Sequence, residues 1–350
     1  MADRPAPESQ PSPGTHRRRL RYRGKNPRRF EEKYKEHDPA RYPGTVAKVL
    51  AAGKTPAGSH RPVMVPEVLQ VLSPNQGEIA VDCTLGYGGH ALQIIPRLPP
   101  NGHLLGLDAD PLELPRTEAR LRAHGFGPDI FSAHRSNFAG LPRVLIQSGY
   151  HRADMILVDL GVSSMQLDDP ARGFSLKHDG PLDMRMNPQR GQPVSSLLAK
   201  ASPDAIAVLL SENADEPQAA MLAGALAGKM FTTTGSLASA IRHTLRSLPE
   251  EERDLSVRRV FQALRIAVND EFSALEMLLR HLPDCLNPGG RVAILTFHSG
   301  EDRRVKKAFQ AGLRSGLYAA AASEVIRASP EERHANPRSA SAKLRWATRK

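Results

Sequence analysis

Three features predict an α/β fold built on a mainly parallel sheet. A short apolar stretch, Glu78 to Val81, leads into a glycine-rich turn, Asp82-Cys83-Thr84-Leu85-Gly86-Tyr87-Gly88-Gly89-His90, and then into a helical pattern from Ala91. Strand, glycine turn and helix in that order open a nucleotide-binding α/β unit, because glycines let the backbone approach a ligand and the helix start offers free N–H groups. The next apolar run, Leu104 to Leu107, ends on Asp108, placed to accept both hydroxyls of a ribose. Third, apolar runs alternate with helical patterns as far as Asp159, which is the signature of a parallel sheet covered on both faces.

Taken in order, His60 to Val63 leads into a short helix at 65–72, where Pro66 suits a first turn. Strands are expected at 79–83, 104–108, 130–133 and 154–159, and helices at 90–97, 111–124 and 139–148. Ligands of such sheets bind past the carboxyl ends of the strands. Four marked stretches fall there: the glycine turn, Asp108, Ser136-Asn137-Phe138, and Asp159-Leu160-Gly161-Val162-Ser163-Ser164. Residues 165–258 hold no convincing strand. They begin with the turn-rich stretch Gln166 to Arg190 and continue with helical patterns at 203–213, 217–230 and 235–247. This is the pattern of a helical insertion. The α/β alternation resumes with one helix near 257–286 and the strand Val292 to Phe297, set up by the Pro288-Gly289-Gly290 turn. Residues 314–340 are loop-like, and 342–347 forms a last strand.

The 350 residues suffice for one large domain or two moderate ones, and at 40% hydrophobic but only 5% aromatic the core must be aliphatic. Two cysteines, Cys83 and Cys285, fit a reducing compartment and argue against a disulfide framework or a zinc cluster. No apolar run is long enough to span a membrane, and no signal peptide is apparent, so a cytoplasmic protein is expected. The net charge of +11 is concentrated at the ends: residues 1–59 carry 14 Lys and Arg against 6 Asp and Glu, and residues 301–350 carry 12 against 5. Basic ends suit a polyanionic partner, although a solubilising tail has the same composition. Residues 1–59, rich in Pro, Arg, Gly and Ser, have the composition of a disordered basic arm.

A ribose-binding Asp after a glycine turn suits NAD, FAD or S-adenosylmethionine. The spacing Gly86-x-Gly88-Gly89 is not the G-x-G-x-x-G of dinucleotide enzymes, and the polar strand ends favour S-adenosylmethionine, whose carboxylate and ammonium need no phosphate cradle. A resemblance sharpens this reading. Asp82-x-Thr84-x-Gly86-x-Gly88-Gly89-His90, Gly106-x-Asp108-x-Asp110, Asn137-Phe138, Asp159 to Ser164 with Gln166-x-Asp168, Arg172-Gly173-Phe174-Ser175, Pro181 to Met186, Phe261 to Ile266, Gly289-Gly290-Arg291, Phe297-His298-Ser299 and Asn336-Pro337-Arg338 follow one another in that order. Over about residues 60–347 the chain resembles the bacterial 16S ribosomal RNA (cytosine-N4)-methyltransferase family of the RsmH/MraW type. The resemblance implies a Rossmann-like class I S-adenosylmethionine methyltransferase sheet with an inserted helical domain at 165–258, flanked by methyltransferase segments 60–164 and 259–350. It implies methylation of the exocyclic amine of one cytidine in the decoding region of 16S ribosomal RNA. The partner would be the small subunit or a late assembly intermediate, and a homodimer is compatible with the reading. It also implies cofactor contacts at Gly88, Gly89, His90, Asp108, Phe138, Asp159 and Gln166. Two positions depart from the family pattern: Gly300 stands where the family has Leu, and Ala214-Asp215-Glu216 stands for Gly-Glu-Glu.

The chemistry needs no metal, since a sulfonium methyl is already an electrophile. Cytosine's exocyclic nitrogen is a poor nucleophile, and an acceptor on its N–H would steady the developing charge; Asp159 is the candidate. Each residue also has a plainer reading. Asp159 alone could cap a turn, His90 could be a packed residue at a helix start, Phe138 could be core, and Met184 and Met186 could be packing. His298 reads at least as well as a structural histidine, and it is not among the catalytic candidates. Two other functions compete. A methyltransferase-like fold could dock on RNA without catalysis, and a DNA amino-methyltransferase would need an Asp/Asn-Pro-Pro-Tyr/Phe stretch that the chain lacks.

Overall fold

A computed structural model describes residues 62–350; the basic N-terminal segment expected to form an arm lies outside the described residues. Helix α1 (Val65–Leu72) carries proline in its first turn, as expected. Strands β1 (Ile79–Asp82), β2 (His103–Asp108), β3 (Phe131–Arg135) and β4 (Ala153–Asp159) alternate with helices α2 (Ala91–Ile94), α3 (Glu113–Ala123) and α4 (Leu141–Gln147). Strand β5 (Leu286–Thr296) joins β4 in parallel. Strand β7 (Lys343–Arg349) runs antiparallel between β5 and β6 (Tyr318–Ala321), giving the seven-stranded order β3-β2-β1-β4-β5-β7-β6.

The strands are continuous apolar runs because both faces of the sheet are covered. Alternate residues feed two cores. Val81, Leu105, Ile156, Val158 and Ile294 face a cluster built with α4, while Ala80, Leu104, Met155, Leu157 and Leu295 face one built with α1 and α2. The strand order reverses between β1 and β4, and in open α/β sheets that switch point is where the crevice opens.

Between β4 and β5 lie short helix α5 (Ser164–Asp168), α6 (Val194–Lys200), α7 (Pro203–Ala214), α8 (Ala219–Leu226) and α9 (Thr234–Thr244). They share a third core, which spans Phe174 to Leu264 and includes Leu198, Leu210, Leu226, Ile241 and Val260. Their starts follow local chemistry: Ser202 caps α7, and Thr233 with Ser236 forms a reciprocal box at α9.

Two expectations are corrected. The single helix near 257–286 is two helices, α10 (Glu250–Asn269) and α11 (Glu271–Cys285), broken at Asp270, whose φ of 51° is left-handed. Asp tolerates that conformation better than most residues. The loop-like stretch 314–340 contains β6 and helix α13 (Pro330–Ala335), after α12 (Ser299–Arg314). Strand β6 reads Tyr-Ala-Ala-Ala, with little β-propensity of its own, and is held by pairing to β7.

Candidate active site

The carboxyl ends of β1 to β5 frame a cavity of about 420 Å³, a volume ordinary for a cofactor-sized ligand. The turn after β1 supplies its floor. Gly86 adopts φ 48°, and its N–H donates to Asp108 Oδ2 at 2.8 Å, while Asp110 N–H donates to Asp108 Oδ1 at 2.8 Å. The Asp108 carboxylate is therefore aimed by two backbone donors, and each oxygen keeps a lone pair for a further hydroxyl. Burial raises its pKa to about 6, although the two backbone hydrogen bonds pull it down. Thr117 donates its hydroxyl to Gly86 O, and the Arg120 guanidinium sits 3.3 Å over the Tyr87 ring while donating to Tyr87 O, so the turn is pinned from outside the cavity.

At the end of β4, Asp159 N–H donates to Thr84 Oγ1 at 2.7 Å, locking the two strand ends together. His90 Nε2 lies 3.6 Å from Asp159 Oδ2. Both His90 Nε2 and Asp159 Oδ1 are buried without a hydrogen-bond partner. Polar atoms are seldom left so in a folded protein, and at the wall of a cavity they point to a bound polar group. Asp82, 2% exposed, also borders the cavity, and burial lifts its pKa to about 6 against the opposing pull of His90.

Gly89, His90, Asp108, Phe138, Asp159 and Gln166 all line this cavity. Gly88 does not. Its φ of 79° turns the chain, and a Cβ there would meet the Thr117 methyl at 3.1 Å, so it serves the packing of α3 against the turn. Phe138 opens a short 3-10 turn capped by Asn137, which places its ring at the third strand end. Gln166 is buried; its Oε1 accepts from Ser163 N–H, and its Nε2 donates to Asp110 Oδ2 at 2.9 Å. Met184 is core, as its plainer reading holds, whereas Met186 both packs on the third core and lines the cavity. His298 Nε2 lies 3.1 Å from Glu301 Oε1, and its ring is tilted against Phe272.

Sequence reasoning missed the polar frame around these residues. Asp110, 1% exposed, accepts from Arg172 Nη1 at 2.7 Å, and Arg172 Nη2 donates to the carbonyls of Arg185 and Met186. Asn269 holds the same segment from the other side, accepting from Met186 N–H and donating to Met184 O. Arg265 and Glu271 form a two-pronged ion pair across the break at Asp270, and both line the cavity. The signal for Asp110 and Arg172 lies in the motifs Gly106-x-Asp108-x-Asp110 and Arg172-Gly173-Phe174-Ser175, which carry both residues.

The sequence profile of the MraW methylase family matches residues 57–350. The chain belongs to that family. It is 47% identical over 339 residues to a ribosomal RNA small subunit methyltransferase H 2 of Alkaliphilus metalliredigens, covering 94% of this chain and 97% of the relative. It is 45% identical over 341 residues to a methyltransferase H 1 of Lachnoclostridium phytofermentans, covering 95% and 93%. A methyltransferase H of Heliobacterium modesticaldum is 38% identical over 308 residues, covering 82% of this chain and 97% of its own. The first two matches leave out too few residues to omit the first 59, so part of the basic N-terminal segment has a counterpart in these MraW relatives, which the family pattern alone did not offer.

As an MraW-family methylase the protein uses S-adenosylmethionine, and the residues present fit that group. Asp108 is aimed for a ribose, the glycine turn leaves the backbone open, and Asp159 Oδ1 awaits a donor. Of the family departures, Gly300 leaves room for an aromatic ring: a Cβ there would stand 2.6 Å from Phe272 Cζ. Asp215 caps α7 in a left-handed conformation and pairs with Arg303 at 2.9 Å, while Glu216 is buried and accepts from Ser256.

Proposed function

We propose that this methyltransferase modifies the exocyclic N4 amine of one cytidine in the decoding region of 16S ribosomal RNA, acting on the small subunit or a late assembly intermediate in the cytoplasm. The observation that carries the reading is Asp159 Oδ1, a buried acceptor without a partner at the cavity wall, set beside His90. Relatives 45–47% identical are named as small-subunit ribosomal RNA methyltransferases, which supports this substrate class.

When bound, S-adenosylmethionine supplies an electrophilic methyl group. Asp108 would hold its ribose, Gly89 and His90 would face it from the turn, Phe138 would cover its adenine, and Gln166 would complete the wall. Asp159 would accept an N–H of the cytosine amine, which draws the nitrogen lone pair out of the ring; as the N–C bond formed the S–C bond would break, leaving S-adenosylhomocysteine, and Asp159 would take up the proton that the methylated nitrogen sheds. The target base must leave its stack to reach the cavity. The helical body between β4 and β5 is placed in this reading as the RNA-recognition domain, since its segment 183–186 borders the same cavity through Met186.

The test is methyl transfer from labelled cofactor to small subunits lacking the modification, followed by nucleoside identification. N4-methylcytidine at a single position is expected. No incorporation at any cytidine amine by protein that binds the cofactor would overturn the reading; the competing one, RNA docking without catalysis, predicts RNA binding without cofactor binding, so calorimetry with S-adenosylmethionine separates the two.

A further inference from the structure

A second cleft, of about 220 Å³, lies beside the first and shares Val162, Leu167 and Arg265 with it as a common wall. Its floor is apolar and aromatic, with Phe174 and Phe261 buried beneath. Three groups at the cleft are uncommitted or half-committed. Leu176 is 44% exposed and stands at the cleft beside this apolar floor. Arg258 is exposed and makes no ion pair or hydrogen bond among the described residues. Gln262 spends one amide N–H on Asn213 O at 3.3 Å and keeps its carbonyl oxygen free. Arg265, by contrast, is committed to Glu271 through two hydrogen bonds.

We propose that this second cleft holds the nucleobase next to the target cytidine in the same RNA strand. This rests on the RNA methyltransferase reading above. Extruding one base strips a stacking neighbour from the base beside it, and an apolar cleft one wall away restores that contact. Leu176 and the aromatic floor cover the base face, Gln262 Oε1 meets an edge amine, and Arg258 meets the linking phosphate. An apolar side chain of a protein partner would use the floor but would leave the free guanidinium without an anion. The continuity of the two clefts and the complementary charge at the mouth together select a nucleotide.

Cys83 and Cys285 are both buried, so Leu176→Cys introduces a selectively labelled thiol on the surface. A thiol-linked benzophenone at that position, irradiated with unmethylated small subunits, is expected to crosslink to a nucleotide within one or two of the methylated cytidine. In parallel, Leu176→Ala and Arg258→Glu are expected to raise KM for the subunit about tenfold, with kcat and cofactor affinity unchanged. Arg258→Ala lowers the salt slope of binding by about one, and Arg258→Lys restores it. A crosslink to a ribosomal protein or to distant RNA, or variants with wild-type KM, would overturn the proposal while wild-type methylation stands. Absence of any RNA methylation by the wild type would overturn the underlying reading as well.

Discussion

Asp108 accepts N–H groups from Gly86 and Asp110 with its two carboxylate oxygens, an arrangement that suits the ribose role proposed for it. Replacing it with Ala removes the acceptors of two hydroxyls and is expected to weaken S-adenosylmethionine binding about 100-fold by calorimetry. Its pKa of about 6 adds a pH dependence. The ionised carboxylate is the form that accepts both hydroxyls, so affinity should be flat above about pH 7, weaken as pH falls through 6, and drop about tenfold by pH 5. Asp82, also lifted by burial to about 6, titrates in the same window. An affinity independent of pH over that range would contradict the placement of Asp108. Gly300 is the second residue with a clear consequence. Gly300→Leu would drive a side chain into Phe272 and is expected to destabilise the fold by about 1–3 kcal/mol in urea unfolding, with Phe272→Leu restoring most of it. Asp108 was legible because it ends an apolar run at a fixed distance past a glycine turn. The role of Gly300 was not, because its partner Phe272 lies on another helix.

At the scale of elements, the segment 183–186 is held between two helices and the β2 end. Arg172 reaches from it to Asp110, and Asn269 clasps it at the end of α10. Arg172→Ala would leave Asp110 buried without its cation and is expected to cost about 3–5 kcal/mol of stability. Arg172→Lys should recover only part, since an ammonium cannot span the carboxylate and both carbonyls. Denaturant midpoints decide this, and a midpoint unchanged in Arg172→Ala would contradict it. The strands were readable as apolar runs because both sheet faces are covered, so burial and composition agree. The break at Asp270 was not, since a left-handed residue other than glycine leaves almost no mark in the sequence, and the apolar period continues on both sides of it. Nor was the Asp110–Arg172 pair, whose members are 62 residues apart and meet only when the insertion folds back on the sheet.

At the scale of the whole molecule, a seven-stranded, mainly parallel sheet carries the strand-end cavity, and the helical body between β4 and β5 has its own core. Among the described residues no helix is long and apolar enough to cross a membrane. Most of the basic segment before residue 60 precedes the matched family profile, which begins at residue 57, yet part of it has a counterpart in relatives. Deleting residues 1–55 is expected to leave cofactor affinity unchanged and to weaken RNA binding most at low salt, measured by filter binding across a salt series. Equal loss of cofactor binding would show instead that the segment belongs to the fold.

The role proposed for Asp159 is to accept the N–H of the reacting amine. Single-turnover methyl transfer to unmethylated small subunits, with Asp159→Asn saturated by S-adenosylmethionine, measures it directly. The rate should fall about 100- to 1000-fold, with whatever product forms still N4-methylcytidine. A rate within twofold of wild type would contradict the claim.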